Sequence, residues 1–158
     1  MTLVRGTLLA VLAGLLGSAA QAAGARGTPA DAKAMLPKVA AHVKAVGRKQ
    51  ALQDFTARRP PFFERGLYVV CFGRNGAGSY LAVTAHGGFP TFVGGSINQI
   101  KDSAGKELGQ QMWDAGVKGN GGVLRYSVRS LMTYKVERKF GVFQKVGDDV
   151  CGVEGDAS

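Results

Sequence analysis

Apolar positions recur at helical spacing through Met35, Leu36, Val39, Val43 and Val46, which predicts an amphipathic helix. Thr28 is its expected N-cap, with Pro29 at the first position and Asp31 at the third. Pro37 interrupts the pattern, either kinking the helix or marking its true start, and Gly47 ends it. A second short helix is predicted over 48–55, with Ala51, Leu52 and Phe55 on one face. The prolines of 58–66 mark a loop. The unbroken apolar run 67–73 then reads as a central strand covered on both faces. A turn at 74–78 leads to a hairpin partner over 80–85, followed by a Gly-rich loop over 87–96. An amphipathic helix is predicted over 107–117. In the segment 123–129, Val123, Arg125, Ser127 and Arg129 alternate with Leu124, Tyr126 and Val128, the pattern of a half-buried strand. Two more strands follow, over 135–146 and 150–153. The class is α+β, with an antiparallel sheet and helices on one face.

Residues 1–22 change the picture of where the chain works. Arg5 precedes the apolar run 7–17, and Ala20-Gln21-Ala22 gives a small-x-small end. That is the pattern of a secretory signal, with cleavage expected between Ala22 and Ala23. The run is short for a bilayer span and is followed by small residues. The expected organisation is therefore a signal at 1–22, a flexible lead at 23–30, one domain at 31–155 and a tail at 156–158. The expected location is periplasmic or secreted. A chain of 158 residues fits one globular domain.

The net charge of +9 would point to nucleic acid in a cytosolic protein. In an exported one it points to a solvated basic surface or to small anions, and nucleic acid is not an expected partner. Two His and two Cys, without CxxC or HExxH spacing, do not make a four-ligand zinc site, and no metal or other cofactor is expected. An even cysteine count in an oxidising compartment favours pairing. Cys71 and Cys151 would close a loop of about 80 residues, worth up to about 4–5 kcal/mol in the chain-entropy model. The alternative is a reactive thiol, although the apolar run around Cys71 would raise its pKa and hide it. No GxSxG or comparable context supports His42 or His86 as a catalytic base, so no enzyme activity is expected.

Several motifs fall in one order: Leu67-Tyr68-Val69-Val70-Cys71-Phe72, Ala85-His86, Val93-Gly94, 102–106, 121–126, Lys139 and 147–153. In that order they resemble a single Cache domain of the second type, a PAS-like extracellular sensor, here as a standalone exported member. The resemblance covers about 31–155. It implies a five-stranded antiparallel sheet with a long N-terminal helix and a short helix packed against it, and a small-molecule pocket between sheet and loops. It also implies that the first and last strands lie side by side, which brings Cys71 and Cys151 together. The chain departs from similar sequences at Gly88-Phe89-Pro90, Val128, Leu131, Arg138 and Glu154. These departures bear on the ligand and not on the fold.

The same resemblance implies a ligand that is a small carboxylate or similar metabolite, held without covalent chemistry. His86, at a strand end before a Gly-rich loop, either faces the pocket or fixes the loop through a backbone carbonyl. Lys139 is a pocket cation or a solvent-facing strand residue. Tyr126 offers an aromatic body with a donor hydroxyl, or core packing. Tyr68 is a candidate on the first strand. Phe62, beside Phe63 in the proline loop, either lids the pocket or plugs the core edge. Arg125 and Arg129 share the face opposite Tyr126, and Trp113 is expected to pack. The expected partners are the ligand, a membrane receptor or kinase, and a second copy through the long N-terminal helix. The competing function is an interaction subunit of an envelope complex with a degenerate pocket.

Overall fold

The computed structural model describes residues 25–157; the expected signal at 1–22 and its cleavage point at Ala22 and Ala23 lie outside them. The helix α1 spans Pro29–Val46 and starts as its sequence requires. Thr28 Oγ1 accepts from the Asp31 backbone N–H at 3.2 Å, and Asp31 accepts from the Thr28 N–H at 2.8 Å. This reciprocal cap satisfies two N–H groups that the first turn leaves free. Pro37 lies inside the helix without ending it. It sits on the exposed face, where the carbonyl it cannot serve meets water. The opposite face buries Ala32, Met35, Leu36 and Val39. After Gly47, whose φ of 83° suits glycine, α2 spans Arg48–Thr56 and buries Ala51, Leu52 and Phe55.

Five long strands and one short one form a single antiparallel sheet. They are β1 (Phe63–Glu64), β2 (Leu67–Arg74), β3 (Leu81–His86), β4 (Val123–Arg129), β5 (Val136–Val146) and β6 (Asp149–Asp156). The order is β1-β2-β6-β5-β4, and β3 also pairs with β2. The first long strand therefore lies against the last. Cys71 is the register partner of Cys151, their Cα atoms are 4.1 Å apart, and the two are joined in a disulfide. The thiol alternative is thereby removed.

The expectation of helices on one face is corrected. Helices α1 and α2 cover one face, over Leu67, Val69, Cys71, Val142 and Val153. Helix α3 (Leu108–Lys118) packs on the other, where Leu108 and Met112 meet Val70, Phe72, Phe143 and Val150. Gly116 lets α3 approach closely, because a Cβ there would lie 2.1 Å from a Val150 methyl. With both faces covered, β2 has no polar side, which accounts for its unbroken apolar run. Within the segment expected as a flexible lead, the Gly27 N–H donates to the Arg65 carbonyl at 2.7 Å, and Gly27 is buried. Asp156, expected in a tail, belongs to β6. No helix among the described residues is long and apolar enough to cross a membrane.

Candidate functional site

Alternation along the strands decides which side chains share the α3 face. Tyr68 pairs with Glu154, Glu154 with Gly141, and Lys139 with both Tyr126 and Asp156. His86 ends β3 opposite Val70. Tyr68, His86, Glu154, Lys139 and Tyr126 thus converge from five strands onto one end of one face. Helix α3 covers the other end. Between them, the 3-10 turns Pro90–Phe92 and Ile97–Gln99 and the β4–β5 connection leave a cavity of about 470 Å3. That volume lies within the range of small-molecule sites. Phe72, Val83, Leu108 and Met112 supply apolar wall, while Arg129, Lys101 and Asp102 stand on its polar side.

His86 is buried, and burial pushes its pKa down to about 4, helped by the positive charges of Lys139 and Arg58. The Phe89 N–H donates to Nδ1 at 3.0 Å. The neutral ring therefore carries its proton on Nε2, a donor free for other work. Both expected roles of His86 meet here in altered form: it fixes the loop by accepting from an N–H rather than donating to a carbonyl, and it lines the cavity. Its ring stacks on Tyr68 at 5.6 Å and meets Phe92 edge-on at 5.3 Å. Arg58 fastens the same loop, donating to the Gly87 carbonyl at 2.6 Å and the Gly88 carbonyl at 2.8 Å. Gly88 presses on Tyr68 so closely that a Cβ would come 2.8 Å from its ring.

Lys139 is a buried ammonium, not a solvent-facing strand residue. Its Nζ donates to Asp156 Oδ1 at 2.6 Å, lies 3.9 Å from Glu137 Oε2, and stands 5.9 Å from the Tyr68 ring centre. One carboxylate uses one of three ammonium protons, so donors remain toward the cavity.

Glu154 was legible in the sequence only as a departure, yet it is among the most buried polar residues of the site. Burial raises its pKa. The hydroxyls of Tyr126 and Tyr68 and the charge of Lys139 hold that rise back. Even so, no cation among the described residues comes within ion-pairing distance of its carboxyl. Tyr126 Oη is fully buried beside the Glu154 carboxyl and has no other polar partner among the described residues. Both tyrosines are held far above their ordinary pKa, first by burial and then by the Glu154 charge, so both remain neutral donors.

Phe62 is a correction. It does not line the cavity but is buried on the opposite face, with its ring 4.8 Å from those of Phe55 and His42. The core-edge alternative describes it, because it packs in the cluster formed with the buried faces of α1 and α2. Phe63 is partly exposed under the Arg58 guanidinium, 4.9 Å from its ring centre. Arg125 is exposed as expected. Arg129, also exposed, still reaches the cavity edge, and its Nη1 donates to the Tyr134 carbonyl at 2.9 Å. Trp113 packs against the α3-side core.

No family model matches the sequence, and no curated protein matches it. Solved structures do resemble the fold. A methyl-accepting chemotaxis protein from Vibrio parahaemolyticus superposes with a TM-score of 0.63 and 21% identity, over 80% of this chain and 86% of that one. A Cache chemosensory domain described for carboxylic acid recognition has a TM-score of 0.57 and 17% identity, over 82% and 88%. The periplasmic sensor domain of a chemotaxis protein has a TM-score of 0.57 and 16% identity, over 82% and 90%. The fold is that of a single Cache domain, α+β and PAS-like.

Proposed function

We propose that this chain is an exported ligand-binding module of the sensor type, which holds a small metabolite bearing an acidic group and passes its signal by protein contact. The observation that carries this is the cavity of about 470 Å3 with a buried ammonium, Lys139, on its wall. A buried acidic ligand needs charge and donors to replace lost water. Lys139, His86 Nε2 and the hydroxyls of Tyr126 and Tyr68 provide them. The structural likeness to a domain described for carboxylic acid recognition supports the ligand class. The likeness to periplasmic sensor domains supports action outside the cytoplasm, as does the signal pattern at 1–22. A membrane receptor or kinase is the partner this function requires, and pairing of two copies through α1 would give it symmetry.

The test is a thermal-shift screen with C2–C5 carboxylates, amino acids and purines. A compound at 100 times its Kd should stabilise the protein by about 2.7 kcal/mol. A shift with an acid-bearing class, lost in Lys139→Ala, supports the assignment. No shift with any class favours the interaction subunit instead, a reading to which the Lys139–Asp156 pair lends weight because it already satisfies the cation within the protein.

A further inference from the structure

Glu154 is a buried carboxyl on the cavity wall with no cation beside it among the described residues. Lys139 is the buried cation there, bonded to the half-exposed Asp156 at 2.6 Å and 3.9 Å from Glu137; Asp156 also lies 4.0 Å from Arg26 Nη1, whereas Glu154 has no ion-pairing partner among the described residues. Lys101 and Arg129 stand at the cavity wall, but Lys101 is paired with Glu107 and Arg129 is bonded to a backbone carbonyl. Next to Glu154, Tyr126 Oη is buried with no partner but that carboxyl among the described residues. Buried polar groups in folded proteins are almost always satisfied, so a buried carboxyl on a cavity wall with only tyrosine hydroxyls and no cation beside it marks a place where something else completes the bonding. A plain carboxylate would complete it badly, because it would bring a further negative charge toward the buried Glu154.

We propose, resting on the ligand-binding function above, that Glu154 and Tyr126 form a receptor for an amine, so that the ligand is a small zwitterion carrying an ammonium as well as an acidic group. The ammonium donates to the Glu154 carboxylate and the Tyr126 oxygen, and the acidic group takes the free donors of Lys139 and His86. The register sets the spacing. Lys139 pairs with Asp156 and Glu154 pairs with Gly141, so Lys139 and Glu154 are diagonal neighbours on adjacent strands. Such neighbours lie about 7–8 Å apart at the backbone, a gap that a molecule with an amino and an acidic group on one carbon can bridge between side-chain ends. His86 contributes a neutral donor and no competing positive charge.

The test is calorimetric titration of the purified protein with matched sets of C3–C5 α-amino acids, the carboxylic acids lacking the amino group, and the amines lacking the carboxyl group. The expected result is that an amino acid binds about tenfold to a hundredfold more tightly than its deaminated acid, the scale of one charge-assisted hydrogen bond. In Glu154→Gln that preference should fall to near unity, while the affinity for the plain acid is kept or improved. Deaminated acids that bind as well as or better than the amino acids would overturn the amine receptor and leave the ligand-binding function standing. If no amino acid, acid or amine binds, both fail. If Glu154→Gln does not fold, the ratio in the unaltered protein decides the matter alone.

Discussion

Lys139 and Asp156 face each other across β5 and β6, with Nζ 2.6 Å from Oδ1. The pairing fixes a buried ammonium at the cavity wall and leaves it further protons to donate. Replacing Lys139 with Met keeps the aliphatic stem and removes the charge. Affinity for an acid-bearing ligand should fall about tenfold to a hundredfold, as for loss of a charge-assisted hydrogen bond. The positive charge of Lys139 also helps to depress the His86 pKa. In Lys139→Met, His86 should therefore titrate at higher pH, and NMR of the imidazole resonances would show it.

His86 and Glu154 predict opposite pH dependences. Burial sets the folded pKa of His86 at about 4, below the ordinary 6.5. The unfolded chain binds the extra proton between those values, so stability rises with pH across about 4 to 6.5 and is flat above. The full effect is of order 3 kcal/mol. Glu154 has its pKa raised, so its folded state keeps a proton that the unfolded chain has released, and stability falls as pH rises above the ordinary carboxyl range. Urea unfolding followed against pH should show a steeper rise between pH 4 and 6.5 in Glu154→Gln. His86→Gln should lose the rise. Superimposable profiles for all three proteins would contradict both assignments.

The disulfide sits between register partners at the centre of the sheet, beneath α1 and α2. Replacing both cysteines with Ala should cost about 2–5 kcal/mol. Mass spectrometry under non-reducing conditions should find no alkylatable thiol in the native protein. Two free thiols would contradict the bridge.

Gly109, in the first turn of α3, packs against the turn that forms part of the cavity wall. A Cβ at Gly109 would lie 2.1 Å from the Ile97 carbonyl oxygen. Backbone cannot swing away as a side chain does, so Gly109→Ala should destabilise by about 1–3 kcal/mol. It should also displace the Ile97–Gln99 turn, weakening ligand binding without touching a polar group of the site. Unchanged Tm and affinity would show that α3 and this turn are not mechanically joined.

Much of this arrangement could be read before any coordinates. Thr28 and Asp31 announced the start of α1 because capping is local chemistry, and the run from Leu67 announced a doubly covered strand because period-two patterning vanishes when both faces are buried. Side-chain alternation does not settle which face each helix covers, so the sequence pattern does not distinguish α3 on the side of α1 and α2 from its actual place opposite them. Phe62 shows the same limit: an apolar residue after two prolines is equally suited to a lid or a plug, and only the path of the loop decides. Glu154 is the hardest to read: a carboxyl near a strand end normally points to solvent, and its burial follows from its register with Tyr68 and Gly141, a relation that sets the distant β2 against the β5–β6 hairpin.

The most direct measurement is a crystal structure of the protein grown with the tightest compound from the titrations. Density for that compound between Tyr126, His86 and Lys139, with its acidic group on Lys139, is the predicted result. A compound bound elsewhere, with the space between those three side chains filled by protein or water alone, would contradict the assignment of this cavity as the site.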